Sequence, residues 1–257
     1  MKNYIPMSCR LSIILPALNE EASLERTIRS CMQFLHAQEI PAEIIIVDDG
    51  STDRTGAIAD ALRQECPDVR VIHHPSNRGY GIALRTGFTA AQGEVVLFMD
   101  ADGQFDITDL TTMLMELETC DIVSGARLQR SDTMLRLVAS RSYNAISRCI
   151  LPITTIDVNC AFKLMRREVL TGLNLRSRGF GLAAELIAKA EHRRLRIKVF
   201  PVRHHPRLGG RSTVSMRSIL PALRELWNIR RGLREVTPLL PSHLSPCAVS
   251  SSPHSPK

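Results

Sequence analysis

The sequence predicts an α/β fold: a mainly parallel sheet with helices on both faces, in a single domain. Three observations predict it. Short runs of consecutive apolar, β-branched residues recur through the first 125 positions, and each is followed by apolar residues at helical spacing. The runs lack polar alternation, as expected of strands buried on both faces. The length of 257 residues, 44% of them hydrophobic, suits one large core rather than two.

The elements follow in order. Leu11 to Leu15 is the first strand, and Leu24, Ile28, Cys31 and Leu35 mark the first helix. Glu43 to Val47 is the second strand, with an amphipathic helix over Thr55 to Glu65. Val69 to His73 with Tyr80 to Ala91 forms a third unit, and Val95 to Met99 with Ile107 to Leu117 a fourth. Asp106 and Asp109, three residues apart, read as a capping-box variant for that last helix. Asp121 to Gly125 is the fifth strand. Beyond it the pattern gives a helix over 133–150, a strand from Asn159 to Met165, and a helix from Leu182 to His192. A strand from Leu195 to His204 and a helix from Met216 to Arg231 complete the domain. Thr237 to Lys257 holds five Pro and six Ser and reads as a disordered tail.

The charge is unevenly placed. Residues 1–123 carry nine Lys/Arg against nineteen Asp/Glu, while 124–257 carry 24 against seven, so a net +7 divides into −10 and +17. Of the 33 basic residues 28 are Arg, whose planar fork suits phosphate. The division suggests a lead at 1–9, an acidic half at 10–126, a basic half of the same domain at 127–236, and the tail at 237–257. A basic nucleic-acid-binding protein is the non-enzyme alternative. Aromatics at 4% and the lack of a helix-turn-helix or stacking pattern argue against it. The seven cysteines form no CxxC pair, and His73-His74 and His204-His205 are adjacent rather than at ligand spacing, so no zinc site is expected. No apolar run approaches the ~18 residues of a membrane span, and the start lacks a secretory core, so a cytoplasmic location is expected.

In a parallel sheet, ligands bind at the carboxyl ends of the strands. Four of those ends are polar here. The first runs into Pro16-Ala-Leu-Asn-Glu20, the second into Asp48-Asp49-Gly50-Ser51, the third into Asn77-Arg78-Gly79, and the fourth into Asp100-Ala-Asp102-Gly-Gln104. Asp100 and Asp102, with the Gln104 carbonyl, suit a hard divalent ion, Mg²⁺ or Mn²⁺, that keeps positions open for phosphate oxygens. The alternative is a helix-entry turn whose acids only cap and solvate. Asp49 is placed to accept from ribose hydroxyls or a base N–H, Asp53 to cap the next helix, and Asp48 and Asn19 to brace the loops.

Taken together, LSIILPALNEEASL, EIIIVDDGSTDRT, NRGYGIALRTG, GEVVLFMDADGQ and DIVSGAR, in this order and spacing, resemble glycosyltransferase family 2. The nearest resemblance is to its dolichyl-phosphate mannosyltransferase-like, polyprenyl-phosphate-using subgroup. The resemblance covers roughly residues 10–215 and implies a GT-A, Rossmann-like fold, with 10–126 as its nucleotide-sugar-binding half and 127–236 as its acceptor-binding half. It implies that Pro16, Leu18, Glu20, Val47 and Asp49 hold base and ribose, and that Asp100, Ala101, Asp102 and Gln104 hold metal and diphosphate. Arg127 then lies near the sugar and acceptor phosphate, and Arg141, with Asn144, on a helix that contacts the lipid phosphate. Asp157, Cys160, Phe162 and Lys163 match the D-x-x-C-G-F-K motif, with Ala161 in place of its glycine. Arg207, Gly210 and Ser212 match an R-x-x-G-x-S-K loop over the diphosphate. Its lysine is Thr213 here, and Arg211 is the candidate replacement.

The implied reaction is a metal-dependent, inverting transfer of a sugar, mannose or glucose, from a GDP- or UDP-linked donor to a polyprenyl phosphate. Asp102, Arg127 and Arg141 are the expected catalytic residues. A saccharide hydroxyl is the alternative acceptor. It would need a general base, for which Glu185 is the later acid in a suitable place, although that helix equally packs through Leu182, Leu186 and Ile187. Membrane contact is expected to be peripheral, through the 133–150 helix and Arg193, Arg194 and Arg196, or through a membrane-protein partner.

Overall fold

The computed structural model describes residues 10–127, 134–207 and 219–233, with side chains for all of these except 134–141, 219, 220 and 222. Seven strands form one sheet: β1 (Leu11–Ala17), β2 (Ala42–Asp48), β3 (Val69–His73), β4 (Val95–Phe98), β5 (Ile122–Arg127), β6 (Lys163–Arg166) and β7 (Ile197–Val202). Their order is β3-β2-β1-β4-β6-β5-β7. β1 pairs in parallel with β2 and β4, β2 with β3, and β5 with β7. The exception is β6, antiparallel to both β4 and β5.

The helices are α1 (Leu24–Ala37), α2 (Thr55–Glu65), α3 (Tyr80–Ala90), α4 (Leu110–Glu116), α5 (Met134–Ile150), α6 (Arg167–Leu173), α7 (Gly181–His192) and α8 (Ile219–Leu233). β1 is buried along its whole length, and Ile13, Ile14 and Leu15 are sealed from solvent. Side chains of that size stabilise by about 1.5–3 kcal/mol each when fully buried. α1 is amphipathic and turns Leu24, Ile28, Cys31 and Leu35 inward. α7 is buried from Gly181 through Ala190, and is an internal helix rather than a surface one.

Three expectations change. The strand expected from Asn159 begins only at Lys163, because Asp157 to Cys160 turns, with the Cys160 N–H on the Asp157 carbonyl at 3.2 Å. α6 was not anticipated. Asp106 caps a short 3-10 turn at Ile107–Asp109 by accepting from the Thr108 N–H at 2.9 Å, but Asp109 does not complete a capping box. Its carboxylate instead accepts from the Arg203 main chain and guanidinium, fixing the end of β7. The two charge halves also interleave. β6 separates β4 from β5 and β7 lies beyond β5, so the acidic and basic segments share one sheet. The tail at 237–257 and the lead at 1–9 lie outside the described residues.

Candidate active site

The first two strand ends are latched by main-chain hydrogen bonds. Asn19, held at φ 56°, accepts from the Thr52 N–H at 2.8 Å, and its own N–H donates to Ser51 Oγ at 3.0 Å. Glu20 N–H donates to Thr55 Oγ1 at 2.8 Å, and Asp53 caps α2 through the Thr55 N–H at 2.9 Å. Asp48 accepts from the Ser51 N–H at 3.0 Å. Gly50, at φ 73°, leaves no space for a side chain: a Cβ there would sit 2.4 Å from the Ser76 carbonyl carbon.

Asp49 is 3% exposed, and its carboxylate braces the third strand end. It accepts from the Arg78 and Gly79 N–H groups at 3.0 and 2.8 Å and lies 2.6 Å from His74 Nδ1. Pro16 and Val47, register partners on β1 and β2, are buried, while Leu18 is half-buried beside them.

The fourth strand end carries the paired acids. Asp102 is 6% exposed and accepts from the Gln104 N–H at 3.1 Å, with Gly103 at φ 72° making the turn and Ala101 buried. The Asp100 carboxyl is pushed up to about 7, first by burial and then by the neighbouring Asp102 charge. Tyr80 Oη donates to Asp100 at 2.9 Å. Two neighbouring buried carboxylates of this kind suit a cation. Among the described residues no group of three or more His, Cys, Asp or Glu side chains gathers to hold a metal. Asp100 and Asp102 offer two carboxylates, the donor type that a hard divalent ion prefers.

Gln104, expected to supply a metal ligand through its carbonyl, also joins two segments of the chain. Its side-chain amide donates to the His205 carbonyl at 2.9 Å, and its own carbonyl accepts the His205 N–H at 2.7 Å. It thereby ties the segment carrying Arg207 to the acidic turn. Arg207 ion-pairs with Glu20 and lies 3.9 Å from Asp102. Burial raises the Glu20 carboxyl even though Arg207 opposes the rise. Glu20, Asp100, Asp102 and Arg207, distant in sequence, thus meet at one edge.

Arg127, at the end of β5, is held by Asp157 through two parallel hydrogen bonds of 2.8 and 2.9 Å. Burial alone would raise the Asp157 carboxyl, but the Arg127 hydrogen bonds and charge reverse this and hold it down at about 2. Asn144 reaches the same carboxylate at 3.5 Å. The Lys163 ammonium is fully buried and donates to the Cys160 carbonyl at 2.6 Å. Arg141 lies on α5, but its side chain, like Arg211, Gly210, Ser212 and Thr213 entirely, is outside the described residues.

Tyr80 and Phe180 were not anticipated. Their rings stack at 5.4 Å between centroids, which sets the phenol against Asp100. A tyrosine between two glycines just past a strand end was the available signal. Glu185, the candidate base, is 3% exposed and consumed internally. It accepts from the Arg176 and Ser177 N–H groups at 2.9 and 2.6 Å and pairs with Lys189 at 2.6 Å.

Residues 12–173 match the family model described as Glycosyl transferase family 2. The chain belongs to glycosyltransferase family 2. Over 240 residues it is 32% identical to the polyprenol monophosphomannose synthase of Mycolicibacterium smegmatis, covering 86% of this chain and 88% of that one. It is 30% identical to glycosyltransferase AglD of Haloferax volcanii over 85% of its own length, but spans only 37% of that larger protein. Among solved structures it resembles glucosyl-3-phosphoglycerate synthase from Mycobacterium tuberculosis, crystallised with Mn²⁺, UDP and phosphoglyceric acid. There the TM-score is 0.66 with 24% identity, over 90% of this chain and 80% of that one. The family 2 glycosyltransferase described here therefore has the GT-A fold expected of it. None of its described helices is long and apolar enough to cross a membrane.

Proposed function

We propose that this family 2 enzyme moves a sugar from a GDP- or UDP-linked donor to a polyprenyl phosphate, with inversion and with Mg²⁺ or Mn²⁺ at Asp100 and Asp102. The observation that carries the choice of acceptor is the state of Glu185. A hydroxyl acceptor needs a base, and Glu185, the acid the sequence offered for that role, is already spent on two main-chain N–H groups and Lys189. A phosphate acceptor is an anion at pH 7 and needs none. The Mycolicibacterium relative, which makes polyprenol monophosphomannose, supports the same acceptor class.

In this reading an acceptor phosphate oxygen attacks the sugar's anomeric carbon from the face opposite the diphosphate, the bond to the diphosphate oxygen breaks, and a nucleoside diphosphate leaves. A divalent ion held there would neutralise the charge that develops on the leaving group. Arg207 would face the donor phosphates, exchanging its contact with Glu20 for them, and Arg211 and Arg141 would add charge. Arg127, oriented by Asp157, would face the reacting phosphates. Pro16, Leu18, Glu20, Val47, Asp49 and Ala101 would shape the base and ribose pocket, Asp49 by fixing the Arg78-Gly79 turn. Catalysis then rests on positioning and charge rather than on proton transfer.

We further propose a cytoplasmic enzyme that meets its lipid peripherally or through a membrane-protein partner. A melting-temperature screen of GDP, UDP and CDP sugars with and without Mn²⁺ tests the donor half. The reading expects one nucleotide to stabilise the protein, and only with metal; stabilisation by none overturns it.

A further inference from the structure

A cleft of about 1040 Å³ opens between the stretch from Leu173 to Gly179, α7 and α8. It shares no residue with the donor and metal positions. Its walls carry six cationic side chains, Arg176, Arg178, Lys189, Arg193, Arg224 and Arg231, and two carboxylates, Glu185 and Glu225.

Both carboxylates are turned onto main chain. Glu185 takes the Arg176 and Ser177 N–H groups and the Lys189 ammonium. Glu225, on α8, takes the N–H groups of Arg178, Gly179 and Gly181 at 3.1, 3.0 and 3.0 Å. The acids thus fasten the loop, while Arg178, Arg193, Arg224 and Arg231 enter no ion pair among the described residues. The Arg193 Nε is a buried donor without a partner, and the Arg231 guanidinium lies 5.9 Å over the Trp227 ring.

The loop is also held from behind. The Arg178 carbonyl accepts from the Gly81 and Ile82 N–H groups of α3 at 2.9 and 3.3 Å. Arg178 therefore has its main chain fixed on both sides and an exposed side chain lining the cleft, so only the side chain remains to be ordered when an anion arrives.

We propose that this cleft is a second anion site, distinct from the donor site, that binds a phosphate-bearing ligand between Arg178 and the α8 arginines. Several guanidinium forks around a cleft of this size match a phosphate ester or diphosphate better than a single carboxylate. The phosphate comes from either a lipid headgroup or a soluble metabolite. The site does not depend on the acceptor proposed above.

Calorimetric titration of inorganic pyrophosphate into wild type, R178Q/R224Q and, two turns further along α8, R231Q tests it. The double variant should bind about ten-fold or more weakly while nucleotide-sugar binding and melting temperature stay unchanged; R231Q should weaken binding too. Equal affinity in wild type and double variant overturns the site. Flotation with phosphatidylglycerol and phosphatidylcholine vesicles separates the sources. Loss of phosphatidylglycerol binding in the double variant assigns the site to lipid headgroups. Unchanged flotation with lost pyrophosphate binding assigns it to a soluble phosphate. Wild type that binds neither pyrophosphate nor phosphatidylglycerol vesicles overturns the proposal.

Discussion

The Tyr80 hydroxyl donates a 2.9 Å hydrogen bond to Asp100, joining the first residue of α3 to the acidic turn after β4. Burial first, and then Asp100 itself, raise the phenol well above its usual pKa, so Tyr80 is a neutral donor at any working pH. Asp100 is consequently oriented by a side chain that is itself locked by stacking on Phe180. Removing the hydroxyl in Tyr80→Phe leaves the ring stack in place and strips one donor from a buried carboxylate. A hydrogen bond to a charged group contributes about 1.5–3 kcal/mol, so kcat/KM should fall roughly ten- to a hundred-fold. Mn²⁺ affinity, followed by paramagnetic resonance, should weaken in parallel. Unchanged Mn²⁺ binding and turnover would remove Tyr80 from the site.

Glu185→Gln separates the two acceptor classes. The variant keeps the shape of the side chain but strands Lys189, so stability should drop by about 1–3 kcal/mol. Turnover at saturating substrate should stay within about ten-fold, because no proton passes through this group; loss of a general base costs about 10²–10⁴-fold. A folded variant with turnover reduced a thousand-fold would restore the hydroxyl-acceptor alternative.

Asp157 sets a pH dependence of stability. Its carboxyl stands at about 2 when folded, below the ordinary value of 3.8. A depressed acid stabilises the folded state above the unfolded pKa, and that contribution is lost as pH falls from about 4 to about 2. At pH 7 Asp157→Asn should therefore cost on the order of 2 kcal/mol. Denaturant midpoints of wild type and variant should converge as pH is lowered through that window. A gap that is constant with pH would contradict the Arg127 pairing.

Much of this was legible in the sequence, for identifiable reasons. β1, β2 and β4 are unbroken apolar runs, and the polar residues just past them mark the binding edge directly. The direction of β6 was not legible, since pairing sense leaves no periodicity, and neither was the seven-residue α6, which is too short to show one. Asp100, Asp102, Glu20 and Arg207 could be named from their motifs. The intramolecular partners of Asp49, Gln104 and Glu185 could not, because each lies elsewhere in the chain: Arg78 and Gly79, His205, and the main chain at Arg176 and Ser177.

Gly81 tests the loop that links the site to α8. A Cβ at this position would lie 2.7 Å from the Ser177 carbonyl oxygen and 2.8 Å from main-chain atoms of Arg178 and Gly179. Main chain pinned by Glu185 and Glu225 cannot move aside, so Gly81→Ala should destabilise by about 1–3 kcal/mol, as overpacking does. Thermal unfolding checks this, and a melting temperature equal to wild type would mean that the loop yields.

The most direct test of the central claim is sugar transfer itself. Purified enzyme is given radiolabelled GDP- and UDP-sugars, a polyprenyl phosphate and Mn²⁺, and label extracted into the organic phase is counted for wild type and Asp102→Ala. The account predicts metal-dependent transfer of one sugar to the lipid by wild type, abolished by chelation and in the variant. Near-normal transfer by Asp102→Ala, or label carried only to a water-soluble saccharide, would contradict it.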